Sequence, residues 1–181
     1  MGLFFNRKKE FNIDKESTLA ITGHRPKSLP WGYNEEHPAC IEFKKELRTV
    51  IEGAINYGFR HFVSGLAEGV DMMFAEIIID IKKTNKDITL EGAIPCPNQD
   101  YRWSESSKKR YKNIVKQCDF TTLVSDTPSK ECFNKRNYYM VDKSSVIIAV
   151  WNGKPSGTGN TVRYAKEHGV KVRRINPEDF I

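Results

Sequence analysis

The 181-residue chain lacks the cysteine patterns of metal-binding and disulfide-rich proteins. Its four cysteines, Cys40, Cys96, Cys118 and Cys132, form no C-x-x-C pair, and no histidine lies near them at the spacing of metal ligands. We therefore expect free thiols in a reducing compartment, with no metal and no other cofactor.

Long apolar runs are also missing. No segment approaches the roughly 20 consecutive apolar residues that span a membrane. Near the N-terminus, an apolar triplet at residues 3–5 comes before the basic residues 7–9, which reverses the order found in a signal peptide. We therefore expect a cytoplasmic protein with no membrane partner.

The charge is positive but not concentrated. The chain has 29 Lys and Arg against 23 Asp and Glu, a net charge of +6 at pH 7, which favours anionic partners. The dense basic clusters are short, and solvated faces explain them at least as well as DNA binding does: Lys8-Lys9, Lys108-Lys109-Arg110 and Arg173-Arg174. Nucleic acid is therefore a possible partner but not the preferred one.

The order of apolar segments predicts the fold. Six short apolar segments alternate with helical patterns, and they predict strands near residues 19–21, 61–63, 89–94, 120–124, 146–150 and 170–175. Nearly continuous apolar strands are typical of a parallel sheet covered on both faces. We expect an α/β, Rossmann-like doubly wound domain over residues 18–181, with a mainly parallel sheet of about six strands, behind a loosely ordered arm of residues 1–17.

A glycine-rich segment, residues 151–162, follows the apolar run at 146–150 and leads into a helical pattern. This order places free backbone N–H groups and the positive end of a helix dipole at one point, which suits a phosphate. The glycines leave room for the phosphate, and the other side chains offer cap oxygens or ligand hydrogen bonds. The residues concerned are Gly157, Thr158, Gly159, Asn160 and Thr161. A plain turn is an equal alternative, because the segment lacks the third glycine of a dinucleotide fingerprint and the Gly-Lys-Ser/Thr of a P-loop.

Two more segments of unusual composition follow predicted strands, TGHRP at residues 22–26 and SGLAEGVD at residues 64–71. Doubly wound sheets bind ligands beyond the carboxyl ends of their strands, at the switch in strand order. We expect His24 to act as a general acid or phosphate ligand, and Arg25 to offer its forked donors to a phosphate. The full set of expected ligand residues in these segments is Gly23, His24, Arg25, Ser64, Gly65, Gly69 and Asp71.

Five segments resemble one family in their order and spacing: TGHRP, SGLAEGVD, IPCPNQDYRW, RNYYMVDKSSVIIAVWNG and SGTGNTVRYA. Over about residues 19–175 the chain resembles the YspA/YoqJ-like branch of the SLOG superfamily, which groups the DNA-processing protein DprA with the LOG enzymes. The resemblance implies a Rossmann-like fold and a site for a nucleotide or nucleotide-derived ligand. Homo-oligomers are common in the superfamily.

The LOG enzymes cleave the base from a nucleoside 5′-monophosphate, with an arginine in an R-x-x-x-M segment and a glutamate after a P-G-G-x-G-T loop. Arg136 fits the first element, whereas Val162 and Arg163 stand where the paired glutamates should be. The carboxylate that stabilises an oxocarbenium-like state is therefore missing. The candidate catalytic residues are Arg136 and, as replacements from a neighbouring loop, Glu68 and Asp71.

Three functions are compatible with these residues. A binding module needs only groups that are present: a phosphate loop, Arg25 and Arg136 as clamps, and an aromatic ring from Tyr33, Trp103 or Tyr138 to stack on a base. We therefore prefer binding of an ADP-ribose-like molecule, as a sensor or a sequestering module. The alternatives are LOG-type nucleotide hydrolysis and DprA-like binding of single-stranded DNA.

Overall fold

Six parallel strands form the centre of the molecule: β1 (Thr18–Gly23), β2 (His61–Ser64), β3 (Thr89–Ile94), β4 (Phe120–Leu123), β5 (Val146–Val150) and β6 (Lys171–Ile175). The computed structural model describes residues 13–181. The strand order is β4-β3-β2-β1-β5-β6, and every neighbouring pair is parallel. The order reverses between β1 and β5, so the carboxyl ends of these strands flank the switch point where doubly wound sheets bind ligands.

Five helices cover the sheet: α1 (Pro38–Tyr57), α2 (Val70–Ile81), α3 (Glu105–Gln117), α4 (Cys132–Lys143) and α5 (Gly157–Glu167). The first three pack on one face, around Phe43, Phe62 and Phe74, and the last two pack on the other, around Met140 and Ala165. The predicted α/β, Rossmann-like doubly wound fold is therefore confirmed. Within residues 13–181, no helix is long and apolar enough to cross a membrane.

The ends of α1 show how the sequence sets an element's limits. The His37 ring accepts a hydrogen bond from the Ala39 backbone N–H, and Pro38 occupies the first helical position, where its missing N–H costs nothing. Gly58 ends the helix with a φ of 125°, a conformation that glycine adopts readily. At the start of the described chain, Lys15–Ser17 form a 3-10 turn, and residues 1–12 of the predicted arm lie outside the described residues.

A buried polar network crosses the sheet beneath α4. Glu91 Oε2 lies 2.7 Å from His61 Nε2, while its Oε1 accepts hydrogen bonds from Thr122 Oγ1 at 2.7 Å and Tyr139 Oη at 2.6 Å. The other ring nitrogen, His61 Nδ1, lies 2.7 Å from Thr89 Oγ1. We call these five residues the Glu91 network. Burial raises the pKa of Glu91, but the three hydrogen bonds outweigh it and the pKa lies below its usual value.

Two glycines bring the turn after β1 onto the start of α2. A Cβ at Gly23 would lie 2.6 Å from Val70 Cβ, and a Cβ at Gly69 would lie 2.8 Å from the His24 carbonyl oxygen. Gly69 also has a φ of 93°, which side-chain-bearing residues rarely adopt. The segments TGHRP and SGLAEGVD are therefore in direct contact at the carboxyl edge of the sheet.

Candidate functional site

Arg136 lies buried in the second turn of α4 and reaches across the ends of β2 and β3. Its Nη1 donates hydrogen bonds to the Gly65 carbonyl at 2.6 Å and the Ala93 carbonyl at 3.3 Å, and its Nε donates to Asn137 Oδ1 at 2.9 Å. A Cβ at Gly65 would lie 2.5 Å from Arg136 Cζ and 2.8 Å from Asp71 Oδ2. Glycine at position 65 therefore makes the space in which the guanidinium group lies.

Asp71 faces Arg136 from the first turn of α2. Its Oδ2 accepts a hydrogen bond from the Ala67 N–H at 3.4 Å. Burial raises the pKa of Asp71, and the charges of Arg136 and Arg25 oppose this only in part. Burial lowers the pKa of Arg136, and the nearby charge of Arg25 acts in the same direction. We call Arg25, Asp71 and Arg136 the arginine cluster, in which two cationic side chains face one carboxyl group.

Arg25 enters the cluster from the solvent side. Its side chain is exposed, and its Cζ lies 5.4 Å from the centre of the Phe133 ring at the start of α4. A guanidinium group over an aromatic face keeps its N–H donors free at its edge. Arg25 therefore presents its donors at the solvent edge of the cluster, in front of the buried Arg136.

Ser64 has a structural role. Its hydroxyl donates to the Asp71 carbonyl at 2.8 Å and accepts from the Leu66 N–H at 3.2 Å. Leu66 has a φ of 53°, a conformation that needs such support in a residue other than glycine. Ser64 therefore holds the turn that presents Gly65 and Asp71.

His24 links the turn after β1 to the turn after β5. Its Nε2 lies 3.0 Å from Asn152 Oδ1 and 3.3 Å from Asn152 N, and the same Oδ1 accepts from the Lys154 N–H at 3.1 Å. Its side chain is buried. His24 thus positions the glycine-rich segment relative to Arg25 through a contact across the switch point.

The cap of α5 comes from a residue that the sequence did not indicate. Ser156 Oγ accepts the Gly159 N–H at 3.1 Å, so Ser156 is the N-cap. The hydroxyl of Thr161 donates to the Gly157 carbonyl inside the helix, and Asn160 accepts from Arg163. Of the two roles expected for Thr158, Asn160 and Thr161, the capping role is therefore wrong, and the ligand hydrogen bonds stay a prediction.

The two glycines of this segment differ. Gly157 is exposed, and no heavy atom lies within 4 Å of the place that a Cβ would take, whereas a Cβ at Gly159 would lie 3.2 Å from the Trp151 ring. The first N–H groups of a helix have no acceptor within it, so the open space at Gly157 borders free donors. Within residues 13–181, no hydrogen bond or ion pair joins residues 157–161 to Arg25 or Arg136. The glycine-rich segment and the arginine cluster are thus two separate sets of residues in the described structure.

Glu68 is separated from the arginine cluster, although only two residues lie between it and Asp71. It lines a cavity of about 300 Å³ between the turn after β1 and the first turns of α2 and α3. Tyr33 lines the same cavity. The structure therefore brings Asp71, but not Glu68, to Arg136.

The other two predicted stacking rings are already packed. The Trp103 and Tyr111 rings meet edge to face at 5.5 Å, and the Tyr138 and Tyr164 rings are stacked at 4.0 Å. Among the three candidates, Tyr33 is the one that lines a cavity, and 63% of its surface is exposed.

Sequence reasoning assigned no role to Gln99, which lies beside the cluster. Its side chain is buried, and its Nε2 donates to the Gly65 carbonyl at 3.4 Å. Its Oε1 is buried and has no hydrogen-bond partner among residues 13–181. Its place in the IPCPNQDYRW segment, between prolines and aromatic residues, was the available signal.

Cys96 is buried, with its Sγ 3.2 Å from Cys132 Sγ at the start of α4. Burial and the neighbouring thiol raise the pKa of Cys96 to about 11. A thiol in this state is a poor nucleophile. Across the described residues, no group of three or more His, Cys, Asp or Glu side chains is arranged to hold a metal ion.

Comparisons with known proteins agree with this architecture. The model of the YspA SLOG family matches residues 19–180. The chain is 31% identical over 160 residues to YoqJ, an SPbeta prophage-derived protein of Bacillus subtilis (strain 168), covering 79% of this chain and 92% of YoqJ. It is 27% identical over 154 residues to a UPF0398 protein of Bacillus thuringiensis (strain Al Hakam), covering 83% of each chain.

Solved structures of DprA share the fold. DprA from Streptococcus pneumoniae has a TM-score of 0.61 at 22% identity, over 90% of this chain and 51% of that one. DprA from Helicobacter pylori, whose structure was described for its single-stranded DNA binding, has a TM-score of 0.58 at 20% identity. The match covers 88% of this chain and 65% of that one. The chain thus corresponds to about half to two thirds of these DprA chains. Because the family match covers nearly its whole length, the protein belongs to the YspA SLOG family.

Proposed function

We propose that the protein binds a nucleotide or nucleotide-derived molecule by its phosphates at the carboxyl edge of the sheet. The observation that carries this proposal is the buried Arg136, whose Nη2 has no acceptor among residues 13–181. A buried charge is costly unless it is paired and hydrogen-bonded, and Asp71 faces two arginines at once. A phosphate supplies both the negative charge and acceptors that match a guanidinium group.

The presence of two places that each suit an anion favours a ligand with two phosphates. The arginine cluster offers forked donors, and the open space at Gly157 borders helix N–H groups. The contact between His24 and Asn152 fixes one place relative to the other. An ADP-ribose-like diphosphate has an anionic group for each place, and we therefore prefer it to a monophosphate.

The ligand class is tested by a thermal-shift panel of AMP, ADP, ADP-ribose, cyclic ADP-ribose, NAD and a short single-stranded oligonucleotide, followed by mass spectrometry of each mixture. A ligand at about a hundred times its Kd adds about 2.7 kcal/mol to the free energy of unfolding, which a thermal shift detects. We expect ADP-ribose to stabilise the protein most and to be recovered intact. Stabilisation by the oligonucleotide alone would reject the proposal.

The phosphate position is tested by Gly157→Val. The added side chain has open space in the protein, so the fold is retained, but it occupies the path to the helix N–H groups. We expect ADP-ribose affinity to fall by at least about tenfold, the loss of one good hydrogen bond. Gly53→Val on the exposed face of α1, where space is equally open, is the matched control. Unchanged binding by the Gly157 variant would place the phosphate elsewhere.

Nucleotide hydrolysis is the second candidate, and the position of Asp71 favours it. A buried carboxyl group with a raised pKa next to an arginine is the kind of group that acts as an acid or base. Recovery of free base or ribose phosphate from the panel would support hydrolysis. Full hydrolase activity in Asp71→Ala would remove Asp71 from that role.

Single-stranded DNA is the third candidate, on the likeness to DprA. Two members of the Lys108-Lys109-Arg110 cluster are already paired, Lys108 with Glu105 and Arg110 with Glu35 and Glu76. The lysines of α3 without an ion pair in the described chain are Lys109, Lys112 and Lys116. DNA binding through this face would weaken steeply with salt, and charge reversal at these three lysines would abolish it.

A further inference from the structure

The cavity that Glu68 lines is large enough for a small ligand group and has a largely polar lining. Its volume of about 300 Å³ is near the lower end for such pockets. The Tyr33 ring and Met72 supply apolar surface, and Ser104, Ser106 and Ser107 line the side formed by the start of α3. The remaining lining residues are Pro26, Gly32, Glu35, Glu68, Gly69 and Arg110.

Ion pairs between three elements hold the cavity walls in place. Arg110 of α3 donates to Glu35 Oε1 at 2.5 Å and to Glu76 Oε2 of α2 at 2.7 Å, and Lys44 of α1 donates to Glu35 Oε2 at 2.5 Å. Burial raises the pKa of Glu35, but these hydrogen bonds outweigh it and the pKa is lowered. Glu35 therefore stays ionised, and the cavity keeps its form without a ligand, which lowers the entropic cost of binding.

The cavity lining has the opposite charge to the arginine cluster. Its charged side chains are Glu35, Glu68 and Arg110, two carboxylates against one guanidinium. Glu68 forms no hydrogen bond or ion pair with another described residue, so its oxygens are free to accept. This lining repels a phosphate and favours an uncharged group with N–H donors.

The cavity and the arginine cluster lie on two sides of the same pair of turns. Pro26 lines the cavity and directly follows Arg25, while Gly69 lines it two residues before Asp71. A Cβ at Gly69 would lie 3.2 Å from Arg25 Cα, so these turns touch. A nucleotide has the matching polarity, with an anionic phosphate end and an uncharged, donor-bearing base end.

We infer that this cavity holds the base of the nucleotide, that Tyr33 stacks on the ring, and that Glu68 selects a purine bearing an amino group, such as adenine. The inference rests on the proposed phosphate site. An amino group donates to the free carboxylate of Glu68, whereas a carbonyl oxygen in its place would face that carboxylate and be repelled. Selection of the base then depends on the Glu68 carboxylate, which accepts no hydrogen bond from another described residue.

The test measures the Kd of ADP and of IDP, in which a carbonyl oxygen replaces the amino group, by titration calorimetry. We expect wild-type protein to bind ADP at least about tenfold more tightly than IDP, the value of one hydrogen bond to a charged group. Glu68→Met keeps the length of the side chain but removes the acceptor, so the preference should fall below about twofold. Glu36→Met, at an exposed position in the loop before α1, is the control that should keep it.

A second variant separates stacking from amino-group selection. Tyr33→Ala should weaken ADP and IDP equally, by at least about tenfold, because a ring stacks on either base. Equal binding of ADP and IDP by wild-type protein would overturn the base assignment and leave the phosphate site standing. Failure of ADP, IDP, ADP-ribose and pyrophosphate all to bind would overturn the proposed function along with it.

Discussion

The Glu91 network contacts α4 at Tyr139, and the arginine cluster contains Arg136 of the same helix. The two differ in how completely their polar atoms are hydrogen-bonded. In the Glu91 network, both carboxylate oxygens of Glu91 and both ring nitrogens of His61 have partners. Beside Arg136, the Oε1 of Gln99 has no partner within the described chain, and Asp71 accepts one long hydrogen bond from Ala67. A fully bonded network stabilises a fold, whereas a partly bonded one at the ligand edge of a sheet is what a binding site leaves for its ligand.

The largest effect is expected from Glu91→Ala. This change leaves His61, Thr122 and Tyr139 without their acceptor, and each polar group left unpaired away from water costs about 1–3 kcal/mol. The free energy of unfolding in urea measures the loss. Nucleotide affinity of the folded fraction should not change. A loss below about 1 kcal/mol would mean that the network does not support the fold.

Arg136→Met should weaken ligand binding more than it weakens the fold. The apolar side chain loses three hydrogen bonds, to the Gly65 and Ala93 carbonyls and to Asn137, but it also removes a buried charge, so we expect a stability loss of only about 1–2 kcal/mol, less than for Glu91→Ala. Affinity for ADP-ribose should fall by at least about tenfold, because a charged donor to the phosphate is gone. Arg173→Met at an exposed position of β6 is the control. Normal binding together with severe destabilisation would make Arg136 structural.

The two carboxyl groups should respond to pH in opposite directions. The pKa of Glu91 is below its ordinary 4.5, so its ionised form adds stability above pH 4.5 that is lost as the pH falls through the folded-state pKa. The pKa of Asp71 in the folded protein is above its ordinary 3.8. As the pH rises above 3.8, Asp71 therefore ionises more easily in the unfolded chain, and the free energy of unfolding falls.

Melting temperatures from acid to neutral pH test this difference in sign. At neutral pH, Glu91→Gln should be less stable than wild type and Asp71→Asn should be at least as stable. Both differences should shrink in acid, where the wild-type carboxyl groups are protonated. A stability loss at neutral pH in both variants would contradict the contrast between the two groups.

The smallest effect is expected on α3. Replacing Lys109, Lys112 and Lys116 by glutamate should change the free energy of unfolding by no more than about 0.5 kcal/mol per site, as for exposed positions in general. ADP-ribose affinity should stay within about twofold, since screening weakens exposed charges at a distance. Tight oligonucleotide binding that this variant loses would favour the DNA function.

The sequence predicted the strands well because their apolar runs are almost continuous. The start of α4 at Cys132 is harder to predict, because Glu131 at its N-cap makes no capping hydrogen bond and its first turn mixes apolar and polar residues. The turn glycines could also be predicted, since close contacts between strand ends need them. The separation of Glu68 from Asp71 could not, because it depends on the positive φ angles of Leu66 and Gly69.

Partners distant in the chain were also beyond sequence reasoning. In the sequence, Arg110 belongs to a basic cluster. In the structure it forms ion pairs with Glu76 and with Glu35, which is 75 positions away. Gln99 was marked only by its place in the IPCPNQDYRW segment, which does not reveal its contact with Gly65. Composition shows how much charge a chain has, and tertiary contacts decide how much of that charge remains free.

The placement of both polar groups on one helix determines which parts of the site can move. Sliding α4 to adjust Arg136 would also stretch the 2.6 Å hydrogen bond from Tyr139 to Glu91. The hydrogen bond to Glu91 therefore holds α4 in place, and we expect a ligand to move the turns after β1 and β5 instead. Because His24 and Asn152 connect those turns, they should move together, and slowed amide hydrogen exchange in both would record one shared closure.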